Sequence, residues 1–163
     1  MSTTHDEVAG VVDLFGALTR SELTRALDEL AFKQGEAVNE AALESAIETA
    51  TDAYALVEYE PATTGEDSTT ETLLTVGPTA FPTLPSNAED LPHILDYERR
   101  SVDRQRLATQ VRERLTAEAE AAVDADDTDR AGELMDVSYD IEVWATVEAG
   151  EVRSTLEPLL PQD

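Results

Sequence analysis

Apolar residues recur at helical spacing in three successive segments of the first half of the chain. Separations of three and four residues predict amphipathic helices over 5–17, from residue 20 to Gly35, and onward from Asn39. The predicted inward positions are Val8, Val11, Val12 and Phe15, then Leu23, Ala26, Leu27, Leu30 and Ala31, and finally Leu43, Ala46, Ile47 and Ala50. We therefore expect a small helical core in this half.

Polar motifs mark where two of these helices begin. Thr19 and Glu22 have the spacing of a capping box, in which each side chain accepts a hydrogen bond from the backbone of the other residue. Asn39 is a favourable N-cap for the third helix. Two strands are expected next, at 55–60 and 72–76, joined by a polar, threonine-rich loop and closed by Gly77 and Pro78.

Three short helices followed by two strands is the element order of a winged helix. The segment 18–27, LTRSELTRAL, resembles the second helix of winged helix-turn-helix domains, and 55–60 resembles the strand after their third helix. The resemblance covers about half of the chain, through Phe81, and the strand usually found between the first two helices is missing or very short. It implies a winged-helix-like domain over residues 1–82.

The second half is expected to be a helical extension over 93–160, after a proline-rich stretch at 83–92 that is either a linker or a strap lying on the first domain. One long helix is predicted from Leu91 to about Val123, another from about Thr128, and a short one over 150–156. Residues 139–147 also alternate as a strand would; helix is preferred because polar residues and a tryptophan fill the other face. The expected class is α+β and mostly α.

The net charge changes how the acidic residues are interpreted. The chain has 36 acidic and 11 basic residues and a formal net charge of −25, and Lys33 is its only lysine. Such a charge opposes compaction unless salt screens it, which happens at molar ionic strength. The composition resembles that of proteins from salt-accumulating haloarchaea, so the chain is expected to be an uncharacterised haloarchaeal protein. Most of its carboxylates then serve hydration.

The predicted third helix argues against ordinary DNA recognition. Glu40, Glu44, Glu48 and Asp52 lie four residues apart on its outward side, and residues 36–60 contain no basic residue. The loop that would form the wing, at 60–71, is acidic as well. Carboxylates repel the phosphates that dominate nucleic-acid affinity, so major-groove reading by this helix is not expected.

One stretch of the chain is basic. Residues 91–116 hold six arginines and four acidic residues. All six, Arg99, Arg100, Arg104, Arg106, Arg112 and Arg114, are expected on the long helix and are candidate partner or nucleic-acid contacts. Pairing inside the protein or at an interface is favoured over nucleic acid, because Arg100 and Arg104 continue the apolar row. The candidate helical interface or core residues are Leu107, Val111, Leu115, Ile141 and Trp144.

Chemistry-bearing motifs are scarce. Cysteine is absent, the aspartates at 124–129 do not fit an EF-hand loop, and His93 with its neighbouring aspartates fits a surface group better than a catalytic one. No catalytic, cofactor-binding or metal-binding residue is assigned. No stretch is apolar enough to span a membrane and no signal peptide is evident, so a cytoplasmic location is expected.

The expected function is that of a non-enzymatic regulatory or adaptor protein acting by protein–protein contacts. It is expected to self-associate, with a homodimer as one form, in a high-salt cytoplasm. The alternative is a winged-helix DNA-binding transcriptional regulator that contacts DNA through the arginine-rich helix at 99–114.

Overall fold

The computed structural model describes residues 5–35, 39–61, 72–85, 88–97 and 99–160. Its helices are α1 His5–Phe15, α2 Arg20–Lys33, α3 Glu40–Asp52, α4 Leu91–Leu95, α5 Arg104–Asp124, α6 Thr128–Trp144 and α7 Gly150–Leu156. Strands β1 Leu56–Tyr59 and β2 Leu73–Val76 pair antiparallel. The prediction of an α+β, mostly α protein is confirmed.

The chain divides into two compact units, residues 1–102 and 103–163. The division therefore falls after Val102, whereas the sequence analysis placed a linker at 83–92. In unit 1, Ala88 and Leu91 are buried in the same core as α1, α2 and α3. The proline-rich stretch thus itself contributes residues to the core of unit 1.

The three N-terminal helices bury the faces that their periodicity predicts. Val8, Val12, Phe15, Leu27 and Ile47 are fully or almost fully removed from solvent. Both predicted N-terminal caps are confirmed. Thr19 and Glu22 form the reciprocal capping box at the start of α2, and the Asn39 side chain accepts a hydrogen bond from the Ala42 N–H at 2.7 Å.

The small sheet has an additional, single-residue member. In the β1–β2 register Leu56 faces Val76 and Tyr59 faces Leu73. Leu18, which lies between α1 and α2, forms an antiparallel bridge with Leu74 through bonds of 3.0 and 2.7 Å between their backbones. The segment between the first two helices therefore borders β2 on one side while β1 pairs with β2.

The described residues of 81–100, namely 81–85, 88–97 and 99–100, which we call the strap, bond to both ends of α1. The Thr83 N–H donates to the Asp6 carbonyl at 2.9 Å, and the Arg100 N–H donates to the Phe15 carbonyl at 2.8 Å. A Cβ on Gly10 would lie 2.1 Å from the Thr83 oxygen. The start of the proline-rich stretch therefore contacts α1 through Thr83.

Unit 2 is built from α5, α6 and α7. Residues 125–127 join α5 to α6, and Asp127 caps α6 by accepting from the Arg130 N–H at 3.1 Å. The predicted ambiguity at 139–147 resolves as helix through Trp144, followed by residues 145–147 outside any helix or strand. The short last helix lies at 150–156, as predicted.

Candidate partner-contact surfaces

The outward side of α3 is acidic, as its sequence predicts. Glu40, Glu44, Glu48 and Asp52 are all exposed, and we call them the acidic face. Leu43, Ile47 and Ala50 on the opposite side are buried in unit 1. Arg20 approaches Glu48 to 3.9 Å, but their side chains are 46% and 68% exposed, so water and salt weaken this pair.

The prediction of one helix carrying all six arginines is wrong. Helix α4 ends at Leu95, and Asp96 takes a left-handed conformation with φ 55°. Helix α5 starts only at Arg104, because the Asp103 side chain accepts bonds from the N–H groups of Gln105 and Arg106. Arg99 and Arg100 therefore lie in unit 1, and the other four arginines lie on α5 in unit 2.

Arg99 and Arg100 bind the C-terminal end of α1. The Arg99 guanidinium donates to the carbonyls of Asp13 and Leu14 at 2.8 and 3.2 Å. Such bonds satisfy carbonyls that a helix leaves unpaired at its end, where a positive charge is also favoured. Both residues thus hold this part of unit 1 together.

Arg100 also forms a two-pronged ion pair with Glu22. Its two terminal nitrogens lie 2.5 and 3.1 Å from the two carboxylate oxygens of Glu22, and the first nitrogen is 3.2 Å from the Ala17 carbonyl. Glu22 accepts the Thr19 N–H as well, at 2.9 Å. Partial burial opposes ionisation, but the bonds from Arg100 and Thr19 outweigh it, so the pKa of Glu22 is lowered.

Of the four arginines on α5, one forms ion pairs within unit 2 and three are exposed to solvent. Arg114 donates to Glu118 at 2.6 Å, and Glu118 also accepts from Arg130 at 2.7 Å. Arg104, Arg106 and Arg112 are exposed. Three of the four α5 arginines thus present much of their surface to solvent, whereas Arg114 belongs to an ion-pair network between α5 and α6.

The predicted helical residues mostly form the core of unit 2 itself. Leu107, Val111, Leu115 and Ile141 are at most 1% exposed. Trp144 differs because it is only partly buried at the end of α6, with the Arg104 guanidinium 4.8 Å from its ring centre. Trp144 is therefore the one residue of this set that is not fully buried in the core of unit 2.

A groove lies beside Trp144 in unit 2, and we call it the Trp144 groove. It consists of two adjoining cavities of about 470 and 610 Å³ that share Trp144, Ala145 and Thr146. Arg104, Gln105 and Ala108 line one end, whereas Arg112, Glu142 and Val143 line the other. The groove combines an aromatic surface, two arginines and an aliphatic side chain that is 91% exposed, Val143.

The sequence analysis missed Arg153, which forms a second group of polar contacts in unit 2. Arg153 on α7 pairs with Glu142 at 3.0 Å, contacts Ser138, and lies over the Tyr139 ring at 4.5 Å from its centre. Bonds from Arg153 and from the Ala149 N–H lower the pKa of Glu142. The available signal was that Arg153 is the only basic residue after Arg130.

Two further grooves are lined largely by polar and charged residues. One of about 780 Å³ lies between α2 and α3 and is lined by Thr19, Ser21, Arg25 and the start of the acidic face. The other, of about 1140 Å³, lies between α5 and α7. In the part of the chain that the structure describes, no cluster of three histidine or carboxylate side chains could hold a metal ion. The acidic wing, residues 62–71, lies outside the described residues.

His93, the residue weighed for acid–base chemistry, lies on α4 with its side chain exposed. Its neighbour Asp90 approaches Lys33 to 3.8 Å. This arrangement places His93 at an open surface and turns one of the flanking aspartates toward a lysine.

Comparisons with known proteins give one match. Neither the curated proteins nor the solved structures include a match to this chain. Over the described ranges, every helix falls short of the length and apolarity that crossing a bilayer requires. A family model does match residues 6–160, and the chain therefore belongs to that family, a family of unknown function designated DUF7109.

Proposed function

We propose that this protein is a non-enzymatic regulatory or adaptor protein that acts through protein–protein contacts. In this proposal unit 1 is a winged-helix-like module, and the protein self-associates through the helices of unit 2, with a homodimer as one form. The setting is a high-salt, haloarchaeal cytoplasm, which the charge of −25 and the single lysine support.

The element order of unit 1 supports the winged-helix part. Helices α1, α2 and α3 precede two antiparallel strands, and the Leu18–Leu74 bridge lies where a winged helix carries its first short strand. This bridge also extends the sheet to the order Leu18, β2, β1. Fold likeness alone does not determine activity, so the surface of α3 has to carry the argument.

The acidic face of α3 is the observation that carries this proposal. In a DNA-reading winged helix the third helix enters the major groove, where phosphates flank it on both sides. Four exposed carboxylates at this position oppose that approach, and molar salt screens the repulsion without creating an attraction. A helix with this surface is better suited to protein contacts.

A second candidate function is DNA binding through α5. Arg104, Arg106 and Arg112 are exposed on the first half of that helix, which supports this alternative. It is weakened by the engagement of Arg99 and Arg100 at the end of α1, because these two arginines stabilise unit 1. Three exposed arginines offer few phosphate contacts, and salt reduces their contribution further.

The deciding experiment is fluorescence anisotropy of labelled, pooled duplex DNA with the full chain in molar KCl. We expect no saturable binding, either for the wild type or for a variant that combines Arg106→Glu and Arg112→Glu. Saturable binding that this double variant abolishes, but that Arg25→Glu in unit 1 leaves unchanged, would replace the proposal by DNA recognition through α5.

Self-association is tested separately by sedimentation equilibrium in the same buffer. We expect a mass above that of the 17.7 kDa monomer at micromolar concentration. A strictly monomeric protein over the whole concentration range would remove the homodimer from the proposal and leave contacts with other proteins.

A further inference from the structure

The Trp144 groove has the chemistry of a peptide-binding site. Tryptophan and arginine are the residues that most often dominate the energy of protein interfaces. Here the Arg104 guanidinium lies against the indole ring, 4.8 Å from its centre, and such stacking restricts the arginine while leaving its N–H groups able to bind an acceptor.

The two arginines of the groove are spaced along one helix. Arg104 and Arg112 are eight residues apart on α5, which corresponds to about 12 Å at a rise of 1.5 Å per residue. Arg112 is exposed and lines the cavity that also contains Val143 and Trp144. Two fork-shaped cations at this separation match two carboxylates on a short peptide rather than a single small anion.

The groove also offers an apolar contact. Val143 is 91% exposed, and Ala108, Ala145 and the ring of Trp144 continue the apolar surface into the cavities. An aliphatic residue between the bound carboxylates would cover this surface. Removing apolar surface from water contributes a favourable free energy of about 25 cal/mol per Å². Salt does not screen this contribution to the affinity.

From these contacts we propose that the Trp144 groove binds a short acidic segment of a protein partner, with carboxylates held by Arg104 and Arg112 and an aliphatic side chain placed on Val143 and Trp144. This inference rests on the proposed function, since it names the chemistry of the partner for a protein that works by protein contacts.

Charge complementarity favours a peptide over a nucleic acid. Glu142 and Glu148 also line the groove and would face a continuous row of phosphates. A peptide can place carboxylates only where the arginines lie and keep neutral groups beside the glutamates.

The chain contains one tryptophan beside four tyrosines, so emission excited at the red edge of the absorption band, where tyrosine scarcely absorbs, reports on Trp144. The probe is a blocked synthetic peptide that repeats Asp-Asp-Leu, titrated in molar KCl. One control peptide has lysine in place of aspartate, and another has glycine in place of leucine. We expect a saturable change in emission with the first peptide, none with the lysine peptide, and weaker binding with the glycine peptide.

Two surface variants locate the binding. Arg112→Glu and Val143→Asp should each lower the affinity for the acidic peptide by about tenfold or more, which is the size expected for a central interface contact. Both positions are exposed, so the fold should be retained, and far-UV circular dichroism checks this. Arg25→Glu, an exposed arginine of unit 1, is the matched control and should bind as the wild type does.

Several outcomes would overturn the inference. An emission change produced by a single-stranded oligo-dT and not by the acidic peptide would assign the groove to nucleic acid. The emission of Trp144 could instead change with protein concentration when no peptide is present. If the protein then also forms a dimer that Arg112→Glu abolishes, the groove binds a second copy of this chain. If duplex DNA fails to bind and the peptide also leaves Trp144 unchanged, the inference is wrong while the proposed function stands.

Discussion

Replacing Arg100 by alanine should destabilise unit 1 strongly. The substitution removes both bonds to the Glu22 carboxylate, at 2.5 and 3.1 Å, and the bond to the Ala17 carbonyl at 3.2 Å. It leaves Glu22, whose side chain is only 20% exposed, without its main counter-charge. Hydrogen bonds to charged groups contribute about 1.5–3 kcal/mol each, and partial exposure of Arg100 reduces this, so we expect a loss of about 2–3 kcal/mol.

A double-mutant cycle with Glu22→Gln separates the ion pair from the other contacts of each residue. The coupling energy between the two positions should be about 1–2 kcal/mol, because the pair is two-pronged and partly shielded from salt. Arg100→Lys should recover only part of the stability, since an ammonium group cannot reproduce the paired geometry. Urea unfolding in molar KCl, followed by far-UV circular dichroism, measures each free energy of unfolding.

The pH dependence of this effect has a defined sign. Because the pKa of Glu22 is lowered in the folded protein, the ion pair contributes its full stability above the ordinary carboxylate pKa. That contribution should disappear as the pH falls through the lowered pKa, and the stability difference between Arg100→Ala and the wild type should then shrink to the part that comes from the bond to the Ala17 carbonyl. A loss below about 0.5 kcal/mol at neutral pH, or no coupling to Glu22, would refute this account of the ion pair.

Further predictions concern backbone and charge in both units. Gly16→Ala should cost more than about 2 kcal/mol, because Gly16 has φ 79° and a Cβ there would lie 2.1 Å from a strap carbonyl oxygen. Gly35→Ala is the matched control: its φ is 72°, but no described residue lies within 4 Å of the position a Cβ would take, so only the backbone cost of about 1 kcal/mol is expected in thermal unfolding. Gly132→Ala, within α6 and facing open space, should stabilise by about 0.5–1 kcal/mol, and an unchanged melting temperature would contradict this. Partial burial and the charge of Asp136 raise the pKa of Asp140. Asp140→Asn should therefore stabilise the folded protein by about 0.2–0.5 kcal/mol above that pKa and have no effect below it. Measuring the free energy of unfolding at several pH values tests this.

The sequence predicted those features of the fold that depend on neighbouring residues. The capping box of Thr19 and Glu22 and the cap at Asn39 involve contacts three residues apart, and the inward faces of the first three helices repeat at three and four residues. Such local patterns are visible in a single chain because the interacting groups are close in sequence.

The positions of Arg99 and Arg100 could not be predicted in this way. Their partners, the carbonyls at the end of α1 and the Glu22 carboxylate, lie 78 to 86 residues earlier in the chain. Helical propensity around them extended the predicted helix across residues 96–103, where these long-range bonds and the left-handed Asp96 interrupt it. A signal was present at Asp103, whose side chain caps α5.

Trp144 shows the same limit for the candidate site. Its place in an apolar row predicted burial with Ile141, and Ile141 is indeed fully buried. Trp144 lies in the last turn of α6, where the helix ends and the core of unit 2 no longer covers the ring, so Arg104 contacts it instead. Periodicity identifies the face of a helix but does not determine how far a neighbouring element extends along it.

The strap affects the order in which unit 1 folds during synthesis. Helix α1 is synthesised before the strap, yet the bonds that close over it come from Thr83 and Arg100. Contacts between such distant residues form slowly, because the intervening chain must lose entropy before they are made. During synthesis the end of α1 therefore stays uncapped until residue 100 has left the ribosome. A fragment ending at residue 82 would retain α1, α2, α3 and both strands but would lack these closing bonds.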